Sequence, residues 1–203
     1  MTAQKRMAVA LATAAVTGGL LAAAPSAHAS VSTVHHRVAT ASGVSSTYLQ
    51  FVKNSRNPSN STLRLVGFNT SRPDHPYSYV VASWRAGSGS GSTDSCRRNA
   101  GWLPDGTYTI QTFDPHHNGG AHGVNGLSWL LSDHKCHNGN KRTELFIHSE
   151  MLPSGKQGRS EPYRWDGNSD YKSNGCIKLK PSDARQLAAY RNTYPKPTRL
   201  YVS

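Results

Sequence analysis

Thr62-Leu63-Arg64-Leu65-Val66-Gly67-Phe68 and, across the turn-like Thr70-Ser71-Arg72-Pro73-Asp74, Tyr77-Ser78-Tyr79-Val80-Val81-Ala82-Ser83-Trp84 are rich in β-branched and aromatic residues that partly alternate with polar ones. A strand with one face on a core and the other in water shows this pattern, so the two stretches read as a hairpin opening a domain. The signal recurs downstream. After a Pro104-Asp105-Gly106 turn, Thr107-Tyr108-Thr109-Ile110-Gln111-Thr112-Phe113 alternates, and Leu127-Ser128-Trp129-Leu130-Leu131, Glu144-Leu145-Phe146-Ile147-His148 and Thr198-Arg199-Leu200-Tyr201-Val202 follow. Helical character is confined to 181–191, with Pro181 in the first turn, Asp183 early and Arg191 late. Many short strands and one late helix predict a mainly β domain, barrel or sandwich. The Gly/Ser run from Gly87 to Ser92 reads as a flexible connector outside the core. Residues 30–61 are rich in Ser, Thr, Val and Asn, with one apolar island at Tyr48-Leu49-Gln50-Phe51-Val52, and read as a flexible leader with that island as a candidate strand. The domain is therefore expected over 62–203.

Two segments carry chemistry. Phe146-Ile147-His148-Ser149-Glu150 is an apolar strand ending in histidine, and Ser173-Asn174-Gly175-Cys176-Ile177-Lys178-Leu179 places a cysteine after a glycine. A thiol attacks at neutral pH once an imidazole takes its proton, so a Cys/His pair suffices for acyl transfer. Gly175 lets the backbone turn sharply and approach a substrate, and a helix starting near Pro181 adds weak positive potential.

The order of these residues resembles the catalytic domain of the L,D-transpeptidases, in which a histidine followed by Ser or Gly precedes a Ser-His-Gly-Cys segment. His148, Ser149, Ser173, Gly175, Cys176 and Ile177 fall on that motif, and Trp102-Leu103-Pro104-Asp105-Gly106-Thr107-Tyr108-Thr109-Ile110 is similar to the family's upstream segment. Asn174 stands where the family usually has histidine, Lys178 where arginine is common, and the interval from His148 to Ser173 is long. The resemblance spans roughly 62–203. It implies a β-sandwich-like fold with the active cysteine near the start of a helix, Cys176 as nucleophile, His148 as base and the Ser149 carbonyl orienting the imidazole, with Glu150 or Asp170 as alternative orienting groups. Backbone donors at Gly175 and Cys176 would hold the oxyanion, with Ser173, Asn174 and Lys178 around the substrate. The substrate implied is the stem peptide of peptidoglycan: attack at the third residue of a tetrapeptide stem expels terminal D-alanine and leaves a thioester, which an amine resolves into a 3→3 cross-link or water resolves as an L,D-carboxypeptidase. This chemistry needs no cofactor. Sortases also place histidine before cysteine, but their Thr-Leu-x-Thr-Cys segment is missing here, and papain-like wall peptidases run in the opposite order. A non-catalytic basic wall-binding module remains the alternative from another class.

Lys5 and Arg6, the uncharged run from Met7 to Ala24 and the Ala27-His28-Ala29 triplet read as a signal peptide over 1–29, which places the mature protein outside the cytoplasmic membrane, secreted or in the wall. Two of the 23 basic residues and none of the 11 acidic ones fall in that segment, so the remainder carries a formal net charge of +10. In a secreted protein this charge suits anionic wall polymers or stem carboxylates, and no nucleic-acid motif accompanies it. With Cys176 assigned to the motif, Cys96 and Cys136 are the expected disulfide, closing a loop of about 40 residues and worth about 2–4 kcal/mol. The rival pairing bridges Cys176 and leaves the protein inert. His116, His117, His122, His134 and His137, with Asp114, form no known metal motif. They read as loop residues, as a zinc site or as a lining of the substrate cleft.

Overall fold

In the computed structural model, which describes residues 43–161 and 163–203, ten strands and one α-helix follow one another: β1 (Val44–Val52), β2 (Ser61–Asn69), β3 (Tyr77–Ser88), β4 (Gly106–Asn118), β5 (Asn125–Leu131), β6 (His134–Lys135), β7 (Lys141–Arg142), β8 (Phe146–His148), β9 (Ile177–Leu179), α1 (Pro181–Tyr190) and β10 (Arg199–Val202). Eight of them close a barrel in the order β1-β10-β4-β5-β8-β9-β3-β2, and β6 with β7 forms a separate two-stranded ribbon. The β1–β10 and β8–β9 pairs are parallel and the other barrel pairs antiparallel. Closure removes the unpaired strand edges that an open sheet of this size would expose. The expected mainly β architecture with one late helix is therefore present, in its barrel form.

Alternation explains which way each strand faces. Leu49 and Phe51 of β1, Leu63 and Leu65 of β2, and Leu200 and Val202 of β10 point inward with Trp84, Tyr108, Trp129, Ile147, Ile177 and Leu179. Full burial of each such side chain stabilises by about 1.5–3 kcal/mol. The helix adds Ala184 and Leu187, one turn apart on its inner face, and Trp84 Nε1 donates to Gln186 Oε1 at 2.6 Å. No helix among the described residues is long and apolar enough to cross a membrane.

The expected signal peptide and residues 30–42 of the expected leader lie outside the described residues. Over 44–61 the leader reading is corrected, because β1 runs parallel to β10 on one side and antiparallel to β2 on the other, which makes it a barrel stave. Its short apolar island was legible, but one of its two partners, β10, lies at the far end of the chain. The connector expected over 87–92 is also corrected at its start. Gly87 and Ser88 end β3 in the core, where a Cβ on Gly87 would lie 2.3 Å from the Tyr171 carbonyl oxygen, so glycine there serves close packing.

Candidate active site

Strands β8 and β9 lie side by side with Ile147 opposite Ile177 and His148 opposite Lys178. Both isoleucines are fully buried in the barrel. Because successive side chains of a strand alternate faces, His148 and Lys178 project from the opposite side, and Cys176, one residue before Ile177, belongs with them. All three line one cleft of about 740 Å³. Cys176 directly precedes a strand, with α1 beginning only at Pro181, so the expected placement at a helix start is replaced by one at a strand start.

The imidazole of His148 is buried, and its Nδ1 lies 3.1 Å from the Ser149 carbonyl oxygen. A carbonyl only accepts, so Nδ1 carries the proton and Nε2 keeps its lone pair. Burial, then the Lys178 ammonium, lower the His148 pKa to about 3, against the Ser149 hydrogen bond, which raises it. The ring is therefore neutral at neutral pH. Neither alternative orienting carboxylate takes this place, because Nδ1 is bonded to Ser149. Glu150 is ion-paired with Lys178, and Asp170 accepts from Asp166 N at 2.6 Å and Gly167 N at 2.8 Å.

Cys176 is half-buried, with its Sγ 3.6 Å from the Glu144 carbonyl oxygen. Burial pushes its thiol up, opposed by a backbone hydrogen bond from Phe146 and by the charges of Lys178 and Arg142. Its turn is tied by Ser173, whose Oγ donates to the Cys176 carbonyl at 2.6 Å and accepts from Gly89 N and Gly175 N at 3.1 Å each. The Gly175 N–H, expected as an oxyanion donor, is thus engaged inside the loop, and Ser173 acts as a loop tie. Asn174 exposes its side chain, while its carbonyl accepts from Arg142 Nη2 at 3.2 Å. Lys178, expected to meet a substrate carboxylate, has its ammonium on Glu150 Oε1. Burial raises the Glu150 pKa, opposed by the Lys178 ammonium, and Glu150 Oε2 is buried without a hydrogen-bond partner.

Cys96 and Cys136 are both buried, and their thiols lie next to each other and unbridged in this structure. Each sulfur has its own polar neighbour: Cys96 Sγ is 3.4 Å from His137 Nδ1, and Cys136 Sγ is 3.6 Å from the Ser95 carbonyl oxygen. The Cys136 thiol is pushed up to about 11 by burial and by the adjacent Cys96 thiol. The mid-chain histidines are dispersed. His117 pairs with Asp114 at 3.3 Å and His116 Nδ1 lies 3.3 Å from the Pro153 carbonyl oxygen, while His134 stacks on Tyr108 and His137 faces Cys96. Of this group His117 and His122 line the cleft. The residue that sequence reading missed is Arg142. In the sequence it is half of a short basic pair, and nothing local marks it for burial.

A family model described as YkuD, L,D-transpeptidase catalytic domain, matches residues 68–199. A solved structure of Bd1075 from Bdellovibrio bacteriovorus is similar at a TM-score of 0.48 and 13% identity, covering 79% of this chain. The chain spans 48% of that protein's length. No protein of curated function matches.

Proposed function

The chain belongs to the L,D-transpeptidase catalytic-domain family, and on that premise we propose that it is a secreted cysteine acyltransferase of peptidoglycan stem peptides that makes 3→3 cross-links. The observation that carries the reading is the shared cleft face of His148, at the end of β8, and Cys176, just before the parallel β9, with the imidazole held as the Nδ1–H tautomer by Ser149.

His148 Nε2 takes the Cys176 proton as the sulfur attacks the carbonyl carbon of the third stem residue. The tetrahedral intermediate collapses as His148 returns that proton to the amide nitrogen of the terminal D-alanine, the C–N bond breaks, and the stem stays on Cys176 as a thioester. An acceptor amine then loses a proton to His148 as it attacks the thioester, and the sulfur leaves with the proton restored. Water in place of the amine gives the carboxypeptidase product. With Gly175 N–H engaged by Ser173, the Cys176 N–H is the turn's remaining oxyanion donor in this reading. The basic surface suits retention among anionic wall polymers.

Purified wild-type protein and Cys176→Ala, incubated with a tetrapeptide-stem muropeptide, are to be followed by mass spectrometry. Loss of D-alanine with a Cys176-dependent acyl adduct and a cross-linked dimer is expected. Tripeptide alone would reassign the protein as a carboxypeptidase, and neither adduct nor turnover, with Cys176 shown to be a free thiol, would leave the wall-binding module.

A further inference from the structure

Arg142 ends β7 in a place where a charge is costly to bury. It is 5% exposed, and no carboxylate pairs with it among the described residues. A buried cation without a counterion persists only where fixed dipoles replace its hydration. Here carbonyl oxygens from two separate segments do so. Nη1 donates to Ser95 O and to Arg97 O at 3.4 Å, and Nη2 to Gly101 O at 3.3 Å and to Asn174 O at 3.2 Å. The last of these lies two residues before Cys176. Gly175 packs directly against the same nitrogen, since a Cβ there would fall 1.8 Å from Nη2.

We propose that Arg142 is a positioning residue for the nucleophile: anchored on the 95–101 loop, its guanidinium fixes the Asn174–Gly175 turn that presents Cys176 and directs an uncompensated positive charge at the thiolate formed there. The inference rests on the reading of Cys176 as the nucleophile. Planar fork geometry is what the task requires, because one head group must reach carbonyls on both segments at once, which a lysine ammonium does less well. The charge also opposes the rise that burial imposes on the Cys176 thiol.

The test is alkylation of Cys176 by iodoacetamide across pH, read by peptide mass spectrometry on the full chain of wild type, Arg142→Gln and Arg142→Lys, with far-UV circular dichroism and thermal melts alongside. No stem peptide is needed, so the outcome is independent of whether transpeptidation occurs. A wild type that alkylates normally yet forms no acyl adduct would sink the proposed function and leave this inference standing. In Arg142→Gln the midpoint of Cys176 alkylation is expected to rise by about one pH unit, with about tenfold slower labelling at pH 7, and Arg142→Lys should fall between. If Arg142→Gln does not fold, a folded Arg142→Lys with slowed labelling supports the proposal. Unchanged labelling in a folded variant, or loss of the fold in both variants, overturns it in favour of a purely structural arginine.

Discussion

His148 and Lys178 stand opposite each other in the parallel ladder of β8 and β9, so an ammonium group sits beside the imidazole in the cleft that Cys176 also lines. With burial, this holds His148 at about 3, while burial pushes the Cys176 thiol up. Both groups are therefore uncharged at neutral pH, so in the proposed reaction the thiol loses its proton as it attacks. The acid limb of the kcat/KM–pH profile is accordingly expected far below the ordinary histidine value of 6.5, with activity level through neutrality. A limb centred near 6.5 would contradict this. The same shift links to stability. Between pH 6.5 and about 3 the unfolded histidine binds a proton that the folded one does not, so stability rises with pH across that window. Urea midpoints of His148→Asn should vary less over the window than those of wild type.

The Lys178–Glu150 pair is buried, with side chains 12% and 9% exposed. Removing one partner strands the other charge, so Glu150→Gln is expected to cost about 3–5 kcal/mol in urea unfolding. Glu150→Leu combined with Lys178→Met should cost less than the sum of the two single changes, because no charge is left alone. Strict additivity would show that the pair is not coupled.

Gly175 has φ +121°, and a Cβ there would collide with Arg142 Nη2. Gly175→Ala is expected to lose about 1–3 kcal/mol from backbone strain alone, and to slow Cys176 alkylation because the guanidinium must move. Thermal melting with labelling at pH 7 checks both, and a variant matching wild type in both would refute the contact.

Most of the fold was legible because its strands alternate locally. The hairpin of β2 and β3, the strands around Thr107–Phe113 and Leu127–Leu131, the helix from Pro181 and the last strand each carry that signal within a few residues. Legibility failed where a residue's surroundings come from far along the chain. β1 looked like an island in a leader because its parallel neighbour β10 comes from the far end of the chain, and Gly87-Ser88 looked like linker because glycine composition does not reveal the Tyr171 carbonyl packed above it. The site divides in the same way. Cys176 and His148 stood out by residue type and order, whereas the Lys178 ammonium, read as a substrate contact, is committed to Glu150.

By itself the sequence determined the mainly β class and the family and singled out Cys176 and His148, because alternation and motif order are local properties that short stretches carry intact. Only the tertiary structure decided that the barrel closes through β1, that His148 is neutral with Nδ1 on Ser149, and that Arg142 is buried against the turn before Cys176. Those features depend on burial and on which carbonyls and charges meet a side chain across the fold. Such distances are set by packing between segments remote in the chain.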